Sequence, residues 1–467
     1  VPDKRQWVLT WAVPISLATI ALTAYLLTVG RTVGAADTFE LQVVAPTLGI
    51  AHPTGYPLLI LIGKLFSLIP VGLVAWRVNL VSVAFAAIAT LLLYFCLLRL
   101  TGQRAVSALA ALCLAFSRVF WSQAVEAEAY PLNAAFVTAI LLLLIGQLGN
   151  LSNGKGWLFA LAAVYGLSFT NHLTMVILAP AIFLGVLLAR QRVTRWDLLL
   201  AAAAFFVPLL IDLYIPLRWP ALHDGHWMSF GDFVAWITGQ QFRGAMQFGL
   251  WCDPTRWRIV GGLMLEAFGR VGVALAAIGL AWLIARRWRI ALVTFVAGAG
   301  YFAYGLIYNV PDVSVFIIPA HILMAVWIGV GSSFVLRLAS QLVRRVSESA
   351  QQWTIASALI VFALLPLNLA WTNGPLVDQS QVGWELYRWG RHVMDLPMPT
   401  GSAILADSEK IAPLYYLKRI ENVRPDVDTL VLGDEGLYRA ELDQRVAKGQ
   451  PVYLARYLPG LAGPYRL

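Results

Sequence analysis

Residues 31–70 read RTVGAADTFELQVVAPTLGIAHPTGYPLLILIGKLFSLIP, and this stretch predicts where the chemistry of the chain lies. It follows an uncharged apolar run, places Asp37 and Glu40 just past the predicted membrane boundary, and contains the turn AHPTGYP. Because Asp37 and Glu40 are three residues apart, a helix would present both carboxylates on one face. The alternative is a solvated helix start, in which Asp37 caps the N-terminus and Glu40 completes a capping pattern.

The composition excludes an ordinary soluble globule. Of the 467 residues, 59% are hydrophobic and 13% are charged, and the mean hydropathy is +0.72. We therefore expect an all-α polytopic membrane protein with about eleven transmembrane helices. The predicted spans are roughly 7–29, 78–98, 105–118, 131–149, 157–170, 173–189, 197–217, 270–285, 290–307, 314–336 and 354–372. The shorter run at 58–69, which carries Lys64, predicts an interfacial or re-entrant helix.

The distribution of charge predicts the orientation of the chain. The first 372 residues hold 23 Lys/Arg and 13 Asp/Glu. If Lys4 and Arg5 lie in the cytoplasm, alternation of the predicted spans places the basic loops in the cytoplasm and most acids outside, as the positive-inside rule requires. Basic cytoplasmic loops explain the net charge of +9 better than a nucleic-acid surface does. The brevity of the chain and the absence of N-glycosylation sequons from the outer loops favour a bacterial inner or plasma membrane over the endoplasmic reticulum.

Two units are predicted along the chain. Residues 1–372 form the transmembrane part, whose outer loops are 30–77, 117–131 and 217–269. Residues 373–467 have balanced charge and alternate short apolar runs with helical patterns, which predicts a small extracytoplasmic α/β domain. A unit of this size cannot bury a large core of its own, so we expect it to dock on the membrane part.

Polar residues of the outer loops form the candidate substrate-binding set. An imidazole held in a Pro/Gly turn beside two acids, as His52 is, would suit a substrate phosphate or a metal ion, although a purely structural histidine is the alternative. Arg218 and Arg243 could pair with an anionic headgroup in bidentate fashion, or could simply contact lipid phosphates. Acids at the membrane boundary are costly without a role or partner. The full candidate set is His52, Tyr56, Glu126, Glu128, Asn171, His172, Arg218, Arg243 and Asp312.

Several site classes are absent from the sequence. It contains no P-loop, dinucleotide fingerprint, nucleophile elbow or zinc-protease helix, and its three cysteines show no paired or metal-type spacing. We therefore expect a lipid-borne substrate reached from the outer side, and we assign no metal ligands. A divalent ion near Asp37, Glu40 and His52 is chemically compatible with the residue types, so metal dependence is left open.

Five ordered motifs resemble those of one family. They are the stretch 36–70, WRVNLVSVAFA at 76–86, FWSQAVEAEAYPLNA at 120–134, GLSFTNHLTM at 166–175 and LYIPLR at 213–218, with a looser match over 403–432. They are similar to GT-C type membrane glycosyltransferases of the former domain-of-unknown-function family that includes the endoplasmic-reticulum protein O-mannosyltransferase for plexin-type receptors. The resemblance implies a polyprenyl-phosphate sugar donor and an acid in the first outer loop.

The resemblance also assigns roles to residues. It makes Asp37 the candidate general base and Glu40, its neighbour in the motif, the second candidate catalytic residue. It also places Glu126 and Glu128 in an acidic second-loop motif and His172 in a polar turn motif. The implied reaction moves mannose or another hexose from the polyprenyl phosphate to a hydroxyl of protein Ser/Thr, a glycan or a lipid, and the expected stereochemical outcome is inversion. One base can suffice because the phosphate leaves as a stable anion.

Two other functions compete with this interpretation. A transporter or flippase of a lipid-linked or anionic substrate would place its ionisable groups near the bilayer midplane, whereas the acids here cluster in outer loops. An inactive scaffold would be free to lose Asp37 and the second-loop acids, which are present. The expected partners are membrane lipids, the lipid-linked donor and the acceptor, without nucleic acid.

Overall fold

A computed structural model describes residues 4–149, 154–189, 193–344, 347–407, 410–457 and 461, with side chains from residue 11 onward. The described chain is mainly helical. Helices α1 to α19 span Lys4–Thr28, Ala36–Thr47, Pro57–Ser67, Val74–Thr101, Arg104–Ala115, Arg118–Ala124, Tyr130–Leu148, Gly156–Phe169, Ala179–Leu188, Arg195–Phe206, Tyr214–Arg218, Phe230–Ile237, Pro254–Ile307, Val313–Phe316, Ile318–Arg344, Glu348–Val377, Trp384–Met394, Ile411–Arg419 and Glu435–Ala447. Short 3₁₀ helices span Leu173–Leu178, Pro208–Leu213, Trp219–Ala221, Gln240–Ala245 and Phe248–Cys252.

Seven helical segments of the described chain are long and apolar enough to cross a membrane. They are Trp11–Thr28, Val74–Thr101, Tyr130–Leu148, Arg195–Ala221, Pro254–Ile307, Ile318–Arg344 and Glu348–Val377. Helices α5 and α6 meet at 73° and together would make an eighth crossing. The chain is therefore a multi-pass membrane protein, which confirms the predicted class.

The predicted number of about eleven spans is not confirmed. Two of the predicted spans, 157–170 and 173–189, correspond to helix α8 and to the continuous segment Leu173–Leu188. Both are apolar but shorter than the seven long segments. Two further predicted spans lie within α13, where non-helical backbone at Gly269 and Arg287 breaks the helix. Hydropathy reports apolar runs, whereas the tertiary structure decides where a helix bends or stops.

The first outer loop folds into helices α2 and α3. Helix α2 follows extended backbone at Ala35 and ends at Leu48, whose left-handed conformation (φ 51°) stops the helix. The N-cap is Ala35 rather than Asp37, and no side chain caps the helix, so the capping alternative for Asp37 is wrong. Helix α3 is the short helix predicted for 58–69, and Lys64 on it donates to Pro46 O at 2.6 Å.

A buried polar network holds α2 against the membrane core. Gln42 is fully buried, accepts the Gly34 N–H at 2.8 Å and donates to Asn79 Oδ1 on α4 at 2.8 Å. Asn79 in turn donates to Gly30 O at 2.8 Å, just after α1. Since an unpaired buried amide is costly, these bonds fix α2 relative to α1 and α4.

The C-terminal segment contains a three-stranded parallel sheet. Strands β1, β2 and β3 span Ala403–Ala406, Asp428–Val431 and Val452–Leu454, in the order β2-β1-β3, with Ala403 opposite both Asp428 and Val452. These strands coincide with the apolar runs of the sequence at 402–406, 429–432 and 452–455. Helix α18 packs on the membrane part, where Tyr416 Oη accepts the Ala75 N–H at 3.0 Å within an apolar cluster. That this segment is a separate domain on the extracytoplasmic side stays a prediction.

Candidate functional site

A cavity of about 430 Å³ opens where the first outer loop meets three other loops. Its walls come from α2 and the AHPTGYP turn, the turn before Leu173–Leu178, the 238–246 segment and residues 304–316. Its polar and ionisable lining residues are Asp37, His52, Thr54, Tyr56, Tyr130, His172, Thr174, Thr238, Arg243, Tyr304, Tyr308 and Asp312. The structure thus brings six members of the predicted set into one cavity: Asp37, His52, Tyr56, His172, Arg243 and Asp312.

Asp37 and Glu40 lie one helical turn apart on α2, as the spacing predicted, but their surroundings differ. The Glu40 carboxylate engages His52 twice, because Oε1 accepts the His52 backbone N–H at 2.8 Å and Oε2 contacts Nδ1 of the ring. On the other edge of the ring, the Tyr56 hydroxyl lies 3.2 Å from Nε2. No described residue hydrogen-bonds the Asp37 carboxylate, which is exposed to the cavity. A substrate in the cavity can therefore reach the Asp37 carboxylate, as it can that of Asp312, which also lines the cavity and is exposed.

The electrostatics of this cluster raise the pKa values of both Asp37 and His52. Protein atoms around the Asp37 carboxyl partly desolvate it and raise its pKa above the ordinary value, with the charges of Glu40 and Asp312 adding to the rise and His52 opposing it. Burial lowers the pKa of His52, but the hydrogen bond and charge of Glu40, together with the charge of Asp37, outweigh burial and leave that pKa raised. Glu40 is thus committed to His52, while Asp37 is able to accept a proton.

The same three side chains could hold a metal ion. One ligand atom each of Asp37, Glu40 and His52 lies within 4.8 Å of the others, and among the described residues this is the group that meets that condition. Two carboxylates and an imidazole would suit a divalent transition metal. The arrangement is compatible with such an ion as well as with the hydrogen-bonded pair.

Glu126 and Glu128 are not among the residues that line the cavity. Thr38 donates to Glu128 Oε1 at 3.1 Å, and the Glu128 backbone N–H and C=O both bond the Ser82 hydroxyl, at 3.0 and 3.2 Å. Burial, followed by the charges of Asp37 and Glu126, raises the Glu128 pKa well above its usual range. Burial also raises the pKa of Glu126. Glu128 is near enough to Asp37 for their charges to interact, although the cavity does not expose it.

Asn171 and Arg218 fasten loops together. The Asn171 side chain donates to Ala129 O at 3.1 Å, which ties its turn to the loop that carries Glu128. Arg218 Nε donates to Leu48 O at 2.6 Å, at the end of α2. Neither side chain lines the cavity, because carbonyl groups of neighbouring loops take up their donors. The sequence indicated which groups these side chains can bind, but it could not predict whether they point into the cavity.

An aromatic wall was missed from the sequence. Tyr304 stacks on Tyr308 with ring centroids 4.9 Å apart, Tyr308 meets Phe316 edge-on at 4.9 Å, and Phe316 meets Tyr130 at 5.5 Å. The signal was present, because tyrosines at 301, 304 and 308 follow helical spacing immediately before the VPD turn.

A second cavity of about 680 Å³ has a mostly apolar lining. Trp251, Trp257, Phe302 and Trp327 are among its lining residues. Phe302 of the second cavity and Tyr304 of the first lie two residues apart on α13.

Comparison with known proteins agrees with the family resemblance. Residues 37–195 match the family model described as the protein O-mannosyl-transferase TMEM260 N-terminal domain. The chain is 35% identical to protein O-mannosyl-transferase TMEM260 of Mus musculus over 214 residues, which cover 44% of this chain and 30% of that protein. It is 24% identical to protein O-mannosyl-transferase tmem260 of Dictyostelium discoideum over 458 residues, which cover 87% of this chain and 55% of that protein. The chain thus spans about half or less of the length of these curated relatives.

The fold is similar to that of a solved membrane enzyme. ArnT from Cupriavidus metallidurans, in a crystal structure bound to undecaprenyl phosphate, superposes with a TM-score of 0.61 at 14% identity, covering 96% of this chain and 90% of that one. The eukaryotic relatives give no support to the expected bacterial setting, which stays a prediction, as does the orientation of the termini. The resemblance predicted from the motifs is thereby confirmed: over residues 37–195 the chain matches the family model of the protein O-mannosyl-transferase TMEM260 N-terminal domain, and its fold is similar to that of ArnT.

Proposed function

We propose that this chain transfers a sugar, mannose or another hexose, from a polyprenyl-phosphate donor to a hydroxyl acceptor on the outer face of the membrane. Protein Ser/Thr is the first candidate acceptor. The observation that carries the proposal is the Asp37 carboxylate, which lines the cavity without a hydrogen-bonding partner among the described residues and has a pKa raised by partial burial.

The proposed reaction needs one base. The Asp37 carboxylate takes the proton of the acceptor hydroxyl as the acceptor oxygen bonds to C1 of the sugar. The bond between C1 and the phosphate oxygen breaks, and its electron pair leaves with the polyprenyl phosphate. A raised pKa supports this role, since a base is most effective when its pKa lies close to the working pH. Glu40 would act indirectly, by holding His52.

Arg243 is the proposed binding group for the donor phosphate. Of the described lining residues it is the one with a permanent positive charge, and its guanidinium makes no hydrogen bond or ion pair with another described residue. A guanidinium can bind two phosphate oxygens at once and stabilise the charge that grows on the leaving group.

The second, apolar cavity supports a lipid-linked donor. Its lining of Trp, Phe, Met and Ala side chains would accept an isoprenoid chain, while the headgroup enters the polar cavity beyond Tyr304. The relatives carry the name protein O-mannosyl-transferase, and the similar ArnT structure contains undecaprenyl phosphate. These facts concern those proteins, but they favour the transferase over the transporter alternative.

The test uses purified protein with radiolabelled polyprenyl-phosphate mannose and a mixture of hydroxyl-bearing acceptors. Asp37→Asn is expected to lower transfer about 10²–10⁴-fold while the donor still binds, because an amide cannot accept the proton. Asp253→Asn is the matched control, since Asp253 caps α13 through the Thr255 N–H at 2.8 Å and does not line the cavity.

Two results would count against the proposal. Transfer by Asp37→Asn at the wild-type rate would remove Asp37 as the base. Donor binding by the wild type without transfer or slow donor hydrolysis, over several sugars and metal ions, would favour the transporter or the scaffold.

A further inference from the structure

The tautomer of His172 follows from its contacts. His172 precedes the 3₁₀ helix Leu173–Leu178, and its Nδ1 lies 3.3 Å from the backbone nitrogen of Thr174 and 2.8 Å from the Thr174 hydroxyl. A peptide N–H can only donate, so Nδ1 must be the acceptor. The proton of the neutral ring is therefore on Nε2.

The His172 ring is neutral and lines the cavity. Burial, with a smaller contribution from the charge of His52, lowers the pKa of His172 to about 4. No described residue hydrogen-bonds Nε2, although the ring is almost fully buried among Tyr56, Tyr130 and Phe316, with centroids 5.9, 5.4 and 6.0 Å away. The site therefore presents one uncharged N–H donor between aromatic faces.

We propose that His172 determines sugar specificity by donating from Nε2–H to a hydroxyl oxygen of the transferred sugar, and that Thr174 is a positioning residue that holds this tautomer. The inference rests on the proposed function and names the part of the donor that this wall of the cavity recognises.

The chemistry favours a sugar hydroxyl over the donor phosphate as the partner of Nε2–H. A neutral imidazole among aromatic rings cannot compensate a phosphate charge, whereas Arg243 can. A pyranose ring presents C–H groups to the aromatic faces and hydroxyls to a donor at the same time. A site built to hydrogen-bond a hydroxyl discriminates strongly against an analogue that lacks it, because the buried donor is then left unpaired.

The experiment compares His172→Gln with His172→Asn. A glutamine amide nitrogen reaches close to the position of Nε2, whereas an asparagine amide reaches only that of Nδ1. Both variants are assayed for equilibrium binding and for kcat/KM with polyprenyl-phosphate mannose and with its monodeoxy analogues in turn.

We expect one monodeoxy analogue to be disfavoured about 100-fold by the wild type, in the range seen for a lost buried hydrogen bond. His172→Gln should keep most of this discrimination. His172→Asn should lose mannose affinity by a similar factor and treat that analogue and mannose alike. Thr174→Val should reduce the discrimination and Thr174→Ser should keep it, while a purely structural role would change both substrates equally.

The outcomes separate this inference from the proposed function. Equal losses on every donor for the Gln and Asn variants would overturn the role of His172 while leaving Asp37-dependent transfer intact. If the wild type binds the donors without turning them over, the proposed function fails, yet the discrimination can still be read in the binding constants. If the wild type binds none of the donors, both fail.

Discussion

Replacing Arg243 with glutamine is predicted to weaken donor binding. Arg243 lies on the 3₁₀ helix Gln240–Ala245 beside Phe242, whose ring is 6.3 Å from that of His52. Arg243 lines the same cavity as Asp37, and in the proposed reaction the phosphate of a donor lies between Arg243 and this base. Without this charge, the phosphate has no permanently cationic partner among the described lining residues.

The magnitude follows from the contact that would be lost. A hydrogen bond to a charged group contributes about 1.5–3 kcal/mol, and the exposure of Arg243 favours the lower part of that range. Since about 1.4 kcal/mol corresponds to a factor of ten, Arg243→Gln should raise the donor dissociation constant about 10- to 40-fold. The loss should shrink at high salt, because the missing interaction is partly screened there.

The assay is equilibrium binding of polyprenyl-phosphate mannose in detergent at low and high salt, followed by KM. Arg258→Gln is the matched control, since Arg258 is exposed on α13 and does not line the cavity. Arg218→Gln serves as a contrast, because that guanidinium bonds Leu48 O and should affect melting more than donor affinity. Unchanged affinity in Arg243→Gln together with a large loss in Arg218→Gln would refute the assignment of the phosphate to Arg243.

Two further predictions concern the pH dependence and the docking of the C-terminal segment. The base acts when deprotonated, so kcat/KM should rise as pH increases through the raised pKa of Asp37. The charges of Glu40, His52 and Asp312 all act on that pKa, and the charge of Asp312 raises it. Asp312→Asn removes this charge and should therefore shift the rise of kcat/KM to lower pH. A pH profile that does not move, or moves to higher pH, would contradict this electrostatic account. Tyr416→Phe leaves the buried Ala75 N–H unpaired, which should cost about 1–3 kcal/mol and lower the melting temperature and the protease resistance of the chain after Val377. Unchanged proteolysis would show that this hydrogen bond does not secure the docking.

The tertiary structure explains why some sequence predictions could not be finer. Arg218 and Arg243 have the same chemistry and occur in one predicted outer loop, yet one bonds the end of α2 and the other enters the cavity. Glu128 was predicted to bind substrate. Its charge does interact with that of Asp37, but its carboxylate accepts a hydrogen bond from Thr38 and does not line the cavity. The direction of a loop side chain depends on the packing of the helices that carry the loop, and no local pattern records it.

The sequence by itself determined the membrane class, the positions of most apolar helices, the strands of the C-terminal segment and the shared face of Asp37 and Glu40. These are local properties, set by hydropathy over a span and by the periods of helix and strand. Only the tertiary structure decided that His52, His172, Arg243 and Asp312 share one cavity with Asp37. Those groups come from loops far apart along the chain, and long-range helix packing, with its buried hydrogen bonds, brings them together.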